Sequence, residues 1–244
     1  MNNILPSQIE DYQNGQIFVF NKPLDWTSFD LVGKIRYEIC KKFGIKKLKV
    51  GHAGTLDPKA EGVMILCTGK FTKRIEELQG MEKEYIADIK LGATTPSFDV
   101  ETKEDETYNI EHITRELVDS ALEKFVGEIE QVPPIFSAVM INGKRAYDHA
   151  RKGESVEMKP KKINIRQLDI LDFEKNKLLL RIVCSKGTYV RALARDLGKE
   201  LGAGAYLTGL VRTRVGKYTL GESRSVDDFL CELYENSYDD NACS

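Results

Sequence analysis

The sequence predicts an α+β fold in which a mixed, largely antiparallel central sheet is flanked by helices. Apolar residues recur at helical spacing in some segments and alternate with polar residues in others, so both kinds of element are expected. These patterns are mixed along the chain without a strict β-α-β repeat, which disfavours a parallel sheet. With 244 residues, 41% of them hydrophobic and 30% charged, the chain can bury a substantial core, and we expect one domain.

The first predicted elements are a strand and a helix. The run IFVF at 17–20 is typical of a strand, which ends at Lys22-Pro23. Ser28 is the predicted N-cap of a helix that ends at Gly44. Apolar residues follow Ser28 at helical spacing: Leu31, Val32, Ile35 and Ile39.

The middle of the chain predicts two strands, a long loop and a helix. VMILC at 63–67 is typical of a short buried strand, and EYIADIKL at 84–91 alternates as a half-buried strand does. The polar, acidic segment 92–111 is longer than most loops, so we expect it to be functional or mobile. A helix is predicted over 114–126, and the Val-Pro-Pro run at 132–134 interrupts regular structure.

Towards the C-terminus the patterns predict strands at 163–172 and 178–184 and a helix over about 188–201. A strand near 206–215 and a terminal helix capped by Ser225 follow. An acidic tail ends the chain.

Composition excludes several classes of protein. No apolar stretch approaches the roughly 18 residues of a membrane span, and the N-terminus lacks a basic region followed by an apolar run. We therefore expect a soluble protein. Its five cysteines form no C-x-x-C pair and have no histidine at metal-ligand spacing, which predicts inert thiols in a reducing cytoplasm: Cys40, Cys67, Cys184, Cys231 and Cys243.

Charge is unevenly distributed on a chain whose formal net charge is only −2. A basic run with Glu38 as its one acid precedes residue 51: Lys34, Arg36, Lys41, Lys42, Lys46, Lys47 and Lys49. Two later clusters are Lys159, Lys161, Lys162 and Arg166, and Arg212, Arg214 and Lys217. Each run alone is typical of a solvated face, whereas convergence of several runs would predict a polyanion partner.

The segment GHAGTLDPKAEGV at 51–63 carries the strongest local signal. Asp57 precedes a proline, which pushes its backbone out of the helical region and presents the carboxylate on a stiff loop. The small residues Gly51, Ala53 and Gly54 leave room for a ligand backbone to approach. Taken alone, such a segment is more often an ordinary turn.

The extended stretch GHAGTLDPKAEGVMILCTGKFTK closely resembles the catalytic motif of the TruB family of bacterial tRNA pseudouridine-55 synthases. Four further segments are similar to that family in the same order, and together the five cover about residues 17–217: NKPLDWTS, KEYIADIKLGATTPSFDVE, QVPPIFSAVMINGKRAYDHARKG and CSKGTYVRALARDLGKELGAGAYLTGLVRTRVG. Similarity over five segments in the same order is far more specific evidence for a family than a match to one short motif.

The resemblance implies a pseudouridine synthase fold and a set of site residues. These are Asp57 as the catalytic aspartate, His52 beside the flipped nucleotide, Tyr85 stacked on the target base, Arg191 paired with the catalytic carboxylate, Tyr189 and Leu210 as pocket walls, and Lys22 of the first motif. It implies isomerisation of uridine 55 in the T-arm loop of tRNA, without cofactor or metal. We expect a cytoplasmic monomer, since no coiled-coil pattern is present.

Two departures from the family pattern are expected to matter. Asp25 stands where the first motif usually has glycine, so the turn after Lys22-Pro23 is expected to differ in shape. After Gly216 we expect a short helix and an acidic tail but not the additional RNA-binding PUA domain of many bacterial members.

Two other functions remain open at this stage. A nucleoside or glycoside hydrolase would let water capture the sugar, but it normally uses a second positioned carboxylate, and no other acid lies in a comparable motif. A non-catalytic RNA-binding or RNA-folding module on the same scaffold would function without Asp57.

Overall fold

The structure is a computed structural model that describes residues 5–137, 139–141, 143–147 and 156–235. It comprises two compact units, one formed by Met1–Lys83 with Val211–Ser244 and the other by Glu84–Leu210. Strands β4 and β12 contribute residues to both units. That the chain acts as a single catalytic domain stays a prediction.

The elements follow in chain order. The first half contains α1 (Ile9–Asn14), β1 (Ile17–Lys22), α2 (Ser28–Lys42), β2 (Val50–His52), β3 (Ala60–Thr68), a 3₁₀ helix (Gly69–Arg74), α3 (Ile75–Gly80), β4 (Lys83–Leu91), β5 (Ala93–Thr94) and β6 (Glu106–Thr107). The second half contains α4 (Arg115–Glu123), β7 (Gly127–Gln131), β8 (Met140–Ile141), β9 (Lys144–Arg145), β10 (Lys161–Glu174), β11 (Lys177–Cys184), α5 (Val190–Glu200), β12 (Ala205–Val215), β13 (Tyr218–Thr219), a 3₁₀ turn (Leu220–Glu222) and α6 (Val226–Glu235).

In the first unit the sheet is built around β3, which is buried along most of its length because it is a nearly continuous apolar run. Strands β1 and β2 both pair with it in antiparallel register, and the sheet order continues from β3 to β12. The hairpin between β2 and β3 is closed by the loop 53–59, so the sheet fixes both ends of the segment that carries Asp57.

Helices α2 and α6 complete the core of the first unit. Leu31, Ile35 and Ile39, at helical spacing on α2, are fully buried. Phe229 of α6 lies edge-on to Phe18 of β1, with ring centroids 5.5 Å apart. The last described helix is therefore part of the core of this unit.

In the second unit the sheet order is β12-β4-β11-β10-β7. Strands β10 and β11 form a long antiparallel hairpin with register irregularities near Gln167 and Asp172, and β10 also pairs with β7 in antiparallel register. Helix α4 contacts α5 and β10. The α+β fold predicted from the sequence is confirmed.

The acidic segment 92–111 is a structured element. Strands β5 and β6 form a small antiparallel pair within it. Glu104 accepts hydrogen bonds from Lys90 Nζ (2.6 Å) and the Tyr206 hydroxyl (2.7 Å), and the Thr94 hydroxyl donates to Asp105 Oδ1 (2.6 Å). Acidic side chains thus bond the segment to its own unit, and the expectation that it is functional or mobile stays a prediction.

Most predicted elements are confirmed, and several boundaries shift; the helix predicted over 114–126, for example, ends at Glu123. The N-cap of α2 is Thr27, whose side chain and that of Asp30 form a reciprocal capping box. Ser225 caps α6 through Asp228, as predicted. The sequence patterns do not indicate α1, β2, α3 or β7. These elements are short, and their residues show neither a clear helical repeat nor a clear strand alternation.

Two predictions made from composition, on membrane spans and on the cysteines, can be compared with the described residues. None of the helices in the described ranges is long and apolar enough to cross a membrane. Burial raises the pKa of the Cys67 thiol to about 11, in keeping with an inert side chain. Cys40 is partly exposed and Cys231 exposed, while Cys243 and the acidic tail lie outside the described residues.

Candidate active site

Asp57 lies in a tight turn at the end of the loop 53–59. The backbone N–H of Ala60 donates to the carbonyl of Asp57 over 3.1 Å, which closes a four-residue turn with Pro58 in its second position. Asp57 itself is in neither helix nor strand, and the residue is partly exposed. It thus lies at the surface on a backbone that proline stiffens, as its position before Pro58 predicts.

Ser28 and Asp25 hold this loop from the segment that leads into α2. The buried Ser28 hydroxyl accepts a hydrogen bond from Leu56 N–H and donates to the carbonyl of Leu56, both over 2.9 Å. The N–H of Asp25 donates to the carbonyl of Pro58 over 2.9 Å. The residues on both sides of Asp57 are therefore held by the first motif.

Asp25 occupies a conformation that favours glycine. Its φ is 64°, in the left-handed region, where a side chain is strained. Its carboxylate pairs with Lys59 Nζ at 2.6 Å, although both side chains are well exposed. The turn therefore keeps a glycine-type backbone although the residue is an aspartate, and the aspartate adds an exposed ion pair to the loop that carries Asp57.

Arg212 holds the beginning of the same loop. This side chain is 1% exposed, and its guanidinium donates to the carbonyls of Val63 (2.7 Å), Gly54 (3.1 Å) and Thr55 (3.4 Å). A guanidinium presents several donors in a fixed plane, so one side chain satisfies three carbonyls. Arg212 is a structural group and does not belong to a basic surface.

The small residues near Asp57 mostly serve the protein's own packing. A Cβ on Gly51 would lie 2.7 Å from Ile75 Cδ1, and Ala53 is fully buried in an apolar cluster with Val63. A Cβ on Gly62 would meet the Arg212 carbonyl oxygen at 2.3 Å. The interpretation that Gly51 and Ala53 leave room for a ligand is therefore wrong, because protein atoms fill that space.

His52, at the end of β2, lies beside an exposed aromatic ring. Phe29 of α2 is 63% exposed, and its ring meets the imidazole edge-on with centroids 5.6 Å apart. Burial, helped by the Arg212 charge and opposed by the Gly54 backbone, lowers the pKa of His52, which favours a neutral ring. Within the described residues, its buried Nδ1 has no hydrogen-bond partner.

Lys22 is a buried cation whose charge interacts with that of Asp57. It is 0% exposed, and its Nζ donates to the carbonyls of Pro23 (2.7 Å) and Trp26 (2.6 Å), which closes the turn before α2. Burial lowers the pKa of Lys22 to about 8, and the negative charge of Asp57 is the largest opposing effect. Lys22 is therefore mostly charged at neutral pH, and its charge favours the ionised form of Asp57.

In the second unit, Arg191 takes part in a buried ion pair. Arg191 Nε lies 3.6 Å from Asp99 Oδ2, and the two side chains are 5% and 4% exposed. Its guanidinium also donates to the carbonyls of Phe136 (2.9 Å) and Ser97 (3.4 Å). Arg191 has interactions beyond these, so its predicted pairing with Asp57 stays a prediction.

Asp99 is itself held by the segment 92–111. It accepts hydrogen bonds from the Ser97 hydroxyl (2.6 Å) and from the N–H of Glu101 (2.9 Å). Its backbone forms a bridge with Leu207 of β12. The loop predicted from its length to be functional or mobile therefore supplies the acidic partner of a predicted site residue.

Tyr189 is fixed through its backbone. Its N–H donates to Gln131 Oε1 (2.8 Å), and Gln131 Nε2 donates to its carbonyl (3.1 Å). These two bonds fix the main chain of Tyr189, and the residue is partly exposed. Gln131 is 2% exposed and opens the Q-x-P-P segment.

Tyr85 and Leu210 are both largely buried, at 8% and 9% exposure. Tyr85 lies on the buried face of β4, which alternates with the period of a strand. The predicted site residues thus divide between units: Lys22, His52 and Asp57 belong to the first, and Tyr85, Tyr189, Arg191 and Leu210 to the second. Their functional roles stay predictions.

Three residues of these clusters have no site role predicted from the sequence: Ser28, Asp99 and Arg212. The patterns indicate only a helix cap at Ser28 and a member of a basic cluster at Arg212. All three lie within segments whose resemblance to the family extends over many residues, which is the signal that could single them out.

Several cations of the predicted basic runs have partners within the protein. Lys34 pairs with Glu38 at 2.8 Å, Lys162 with Glu128 at 3.1 Å and Arg214 with Glu82 at 2.9 Å. Lys42 donates to the carbonyl of Leu233. For these residues the structure favours a local role over a shared binding surface.

Comparison with known protein families gives a match over most of these motifs. A family model described as "TruB family pseudouridylate synthase (N terminal domain)" matches residues 41–190. The match includes Asp57, Asp99 and the first residue of α5, so it spans parts of both units.

Curated relatives extend the similarity to nearly the whole chain. The tRNA pseudouridine synthase B of Phocaeicola vulgatus is 60% identical over 90% of this chain and 93% of its own length. The protein of the same name from Parabacteroides distasonis is 59% identical over 90% of this chain and 95% of its own length.

Among solved structures, a Cbf5-Nop10-Gar1 complex contains a chain that superposes with a TM-score of 0.71 at 26% identity. The similarity covers 93% of the present chain and 57% of that chain. An H/ACA ribonucleoprotein bound to a substrate RNA matches with a TM-score of 0.65 at 24% identity, over 91% of this chain and 55% of its own, and supports the fold alone.

Proposed function

Since the chain belongs to the TruB family of pseudouridylate synthases, we propose that it is a tRNA pseudouridine synthase that converts uridine 55 of the T-arm loop to pseudouridine. The observation that carries the proposal is the 60% identity to a curated synthase over 90% of this chain. The partly exposed position of Asp57, on a loop held by Ser28 and Arg212, supports it.

The reaction is an isomerisation. The N1–C1′ bond of uridine breaks, the uracil ring turns, and C5 bonds to C1′; the proton lost from C5 is balanced by one gained at N1. Nothing is oxidised or added, so the chemistry needs no redox cofactor, nucleotide or metal.

Asp57 would act on the sugar while the base is detached. Its carboxylate either attacks or stabilises the electron-poor C1′, or removes a sugar proton to open a glycal route. Both routes need the ionised form, and the buried charge of Lys22 favours that form. We assign Arg191 the same task.

Binding of the target requires that its base leave the helical stack. Extrusion costs a few kcal/mol, and stacking on an aromatic ring returns roughly 1–3 kcal/mol per base. We assign this stacking to Tyr85, with Tyr189 and Leu210 as apolar walls. We assign His52, whose lowered pKa favours the neutral ring, to a contact with the same nucleotide.

Basic residues before β2 would contact phosphates of the T-arm hairpin without regard to sequence, so binding should weaken as salt rises. We place the enzyme in the cytoplasm as a monomer that acts on tRNA transcripts.

The test is to incubate the protein with an unmodified tRNA transcript and to map pseudouridine by position. The proposal expects modification at position 55 only, at no measurable level with Asp57→Asn. Release of free uracil would instead indicate a hydrolase. Full cellular function of Asp57→Asn without pseudouridine would indicate an RNA-binding module.

A further inference from the structure

Phe98, the residue before Asp99, has an unfavourable backbone conformation. Its φ is 61°, in the left-handed region, where a bulky side chain is strained. Among the described residues, two others besides glycines share this region, Asp25 and Lys175, and both are exposed. Phe98 is partly buried and carries a large ring. Strain of this kind persists only where the surrounding structure holds it, and it is concentrated at functional sites.

The main chain around Phe98 is bonded on both sides. The N–H of Phe98 donates to the carbonyl of Thr95 over 3.1 Å, which closes a turn with Pro96 in its second position. The carbonyl of Phe98 accepts from the N–H of Leu207 on β12 over 3.0 Å. The Thr95 hydroxyl donates to the carbonyl of Asp99 over 2.8 Å. The strained residue therefore lies between two fixed points.

The ring of Phe98 is held by Arg195 of α5. The guanidinium carbon lies 5.0 Å from the ring centroid, which is a cation–π distance. The same guanidinium donates to the carbonyl of Val132 over 3.0 Å and pairs with Asp196 at 2.7 Å, so its own position is fixed. The Arg195 side chain is only 12% exposed, and loss of water strengthens a cation–π contact.

Arg191 and Arg195 lie one turn apart on α5, and therefore on the same face of the helix. Arg191 pairs with Asp99 and bonds the carbonyl of Phe136. Arg195 contacts Phe98, the neighbour of Asp99, and bonds the segment that precedes Phe136. The two arginines thus bind the same two segments at adjacent points. Because Phe98 and Asp99 are consecutive, the backbone angle of Phe98 sets the direction in which the chain enters Asp99.

We propose that Phe98 and Arg195 are positioning residues for the reaction. The contact between ring and guanidinium keeps Phe98 in its left-handed conformation, and that conformation directs the carboxylate of Asp99 to Arg191. This inference rests on the proposed function, in which Arg191 favours the ionised form of Asp57. Phe98 and Arg195 act through Asp99 and Arg191 and make no contact with the RNA.

The experiment compares alanine and glycine at position 98 in single-turnover conversion of a tRNA transcript, with the affinity measured in parallel. Phe98→Ala removes the ring but keeps the penalty on a positive φ, so the turn relaxes and the rate at saturating tRNA should fall about tenfold. Phe98→Gly also removes the ring but adopts this φ without strain, so its rate should stay within about threefold of the unsubstituted protein. The Kd for tRNA should stay within about twofold in both variants.

Two further variants sharpen the comparison. Arg195→Met should lower the rate about fivefold in the unsubstituted protein and cause no further loss in Phe98→Gly, where the ring that it holds is absent. The matched control is Phe173→Ala, which removes the same side chain from a partly exposed position on β10. It should lower stability and leave the rate at saturating tRNA unchanged.

A glycine variant no faster than the alanine variant would overturn the inference, because the ring would then matter through packing alone. Unchanged conversion by Phe98→Ala would overturn it as well, and so would a loss of affinity large enough to explain the whole loss of rate. Failure of the proposed function gives a different result, since the unsubstituted protein would then form no pseudouridine.

Discussion

The loop that carries Asp57 and the buried pair of Arg191 and Asp99 differ in what holds them. The loop is held by bonds to its backbone, from the Ser28 hydroxyl, the Arg212 guanidinium and the Asp25 N–H. The Arg191–Asp99 cluster combines bonds to carbonyls with an ion pair between two side chains that are almost wholly buried.

The difference predicts different responses to substitution. Each hydrogen bond to the loop backbone fixes part of one short segment. The loss of one such bond should therefore lower the conversion rate without abolishing it. Removing one partner of a buried ion pair leaves the other charge without compensation, which should affect the whole second unit.

The largest effect is expected for Arg191→Met. It leaves Asp99 charged and buried, so we expect a loss of about 3–5 kcal/mol in the free energy of unfolding and no measurable conversion. Denaturant unfolding measures the first and pseudouridine formation the second. The double variant Arg191→Met/Asp99→Asn should recover part of the stability. If Arg191→Met alone were as stable as the unsubstituted protein, the ion pair would contribute nothing to stability.

Lys22→Met comes next and has a signature in pH. The pKa of Lys22 is about 8 in the folded protein, below its ordinary value of 10.5. As pH rises above 8 the lysine loses its charge, so conversion should fall. Between pH 8 and 10.5 the unfolded chain binds more protons, so the contribution of Lys22 to stability should rise with pH.

We expect Lys22→Met to lower the conversion rate on the order of tenfold, because it removes a charge that interacts with Asp57 and leaves the carbonyls of Pro23 and Trp26 without their donor. It should also remove the decline above pH 8. Rates from pH 6 to 10 on prefolded RNA check both points. Persistence of the same alkaline decline in the variant would assign it to another group.

Ser28→Ala tests the backbone-held loop by a smaller change. It leaves the buried N–H of Leu56 without its acceptor, at a cost of about 1–3 kcal/mol. We expect the conversion rate at saturating tRNA to fall about tenfold with little change in affinity. The matched control is Thr27→Ala, which removes the cap of α2 at a cost of about 1 kcal/mol. An equal loss of rate in both variants would mean that the helix, not the loop contact, matters.

Asp25→Gly should have the smallest effect. Glycine relieves a left-handed strain of about 1 kcal/mol, and the exposed pair with Lys59 contributes little. We expect conversion within about twofold and a slightly raised melting temperature. Asp25→Ala keeps the strain and loses the pair, so it should melt below both; if Asp25→Gly melts lowest, the ion pair outweighs the strain.

Much of the fold could be predicted because period and capping signals are local. The alternation of β4, the apolar run of β3 and the cap at Ser225 each lie within a few residues. Elements such as β2 are only three residues long and exist because a neighbouring strand pairs with them, which no local pattern reveals.

The candidate site was predictable in part for the same reason. Asp57 is conspicuous because Pro58 follows it and a long motif surrounds it. The contact from Ser28 to Leu56 joins residues 28 positions apart, and that from Arg212 to Gly54 joins residues 158 apart. Such contacts depend on the folded chain, so local patterns predict only a cap at Ser28 and a surface charge at Arg212.

The central claim is that the carboxylate of Asp57 performs the chemistry while other groups hold the loop and the RNA. Single-turnover conversion of a tRNA transcript by Asp57→Asn, with the affinity measured in parallel, tests it most directly. We predict binding within about threefold of the unsubstituted protein and a rate lower by at least about 10³. Conversion at an undiminished rate by the tightly bound variant would contradict the account.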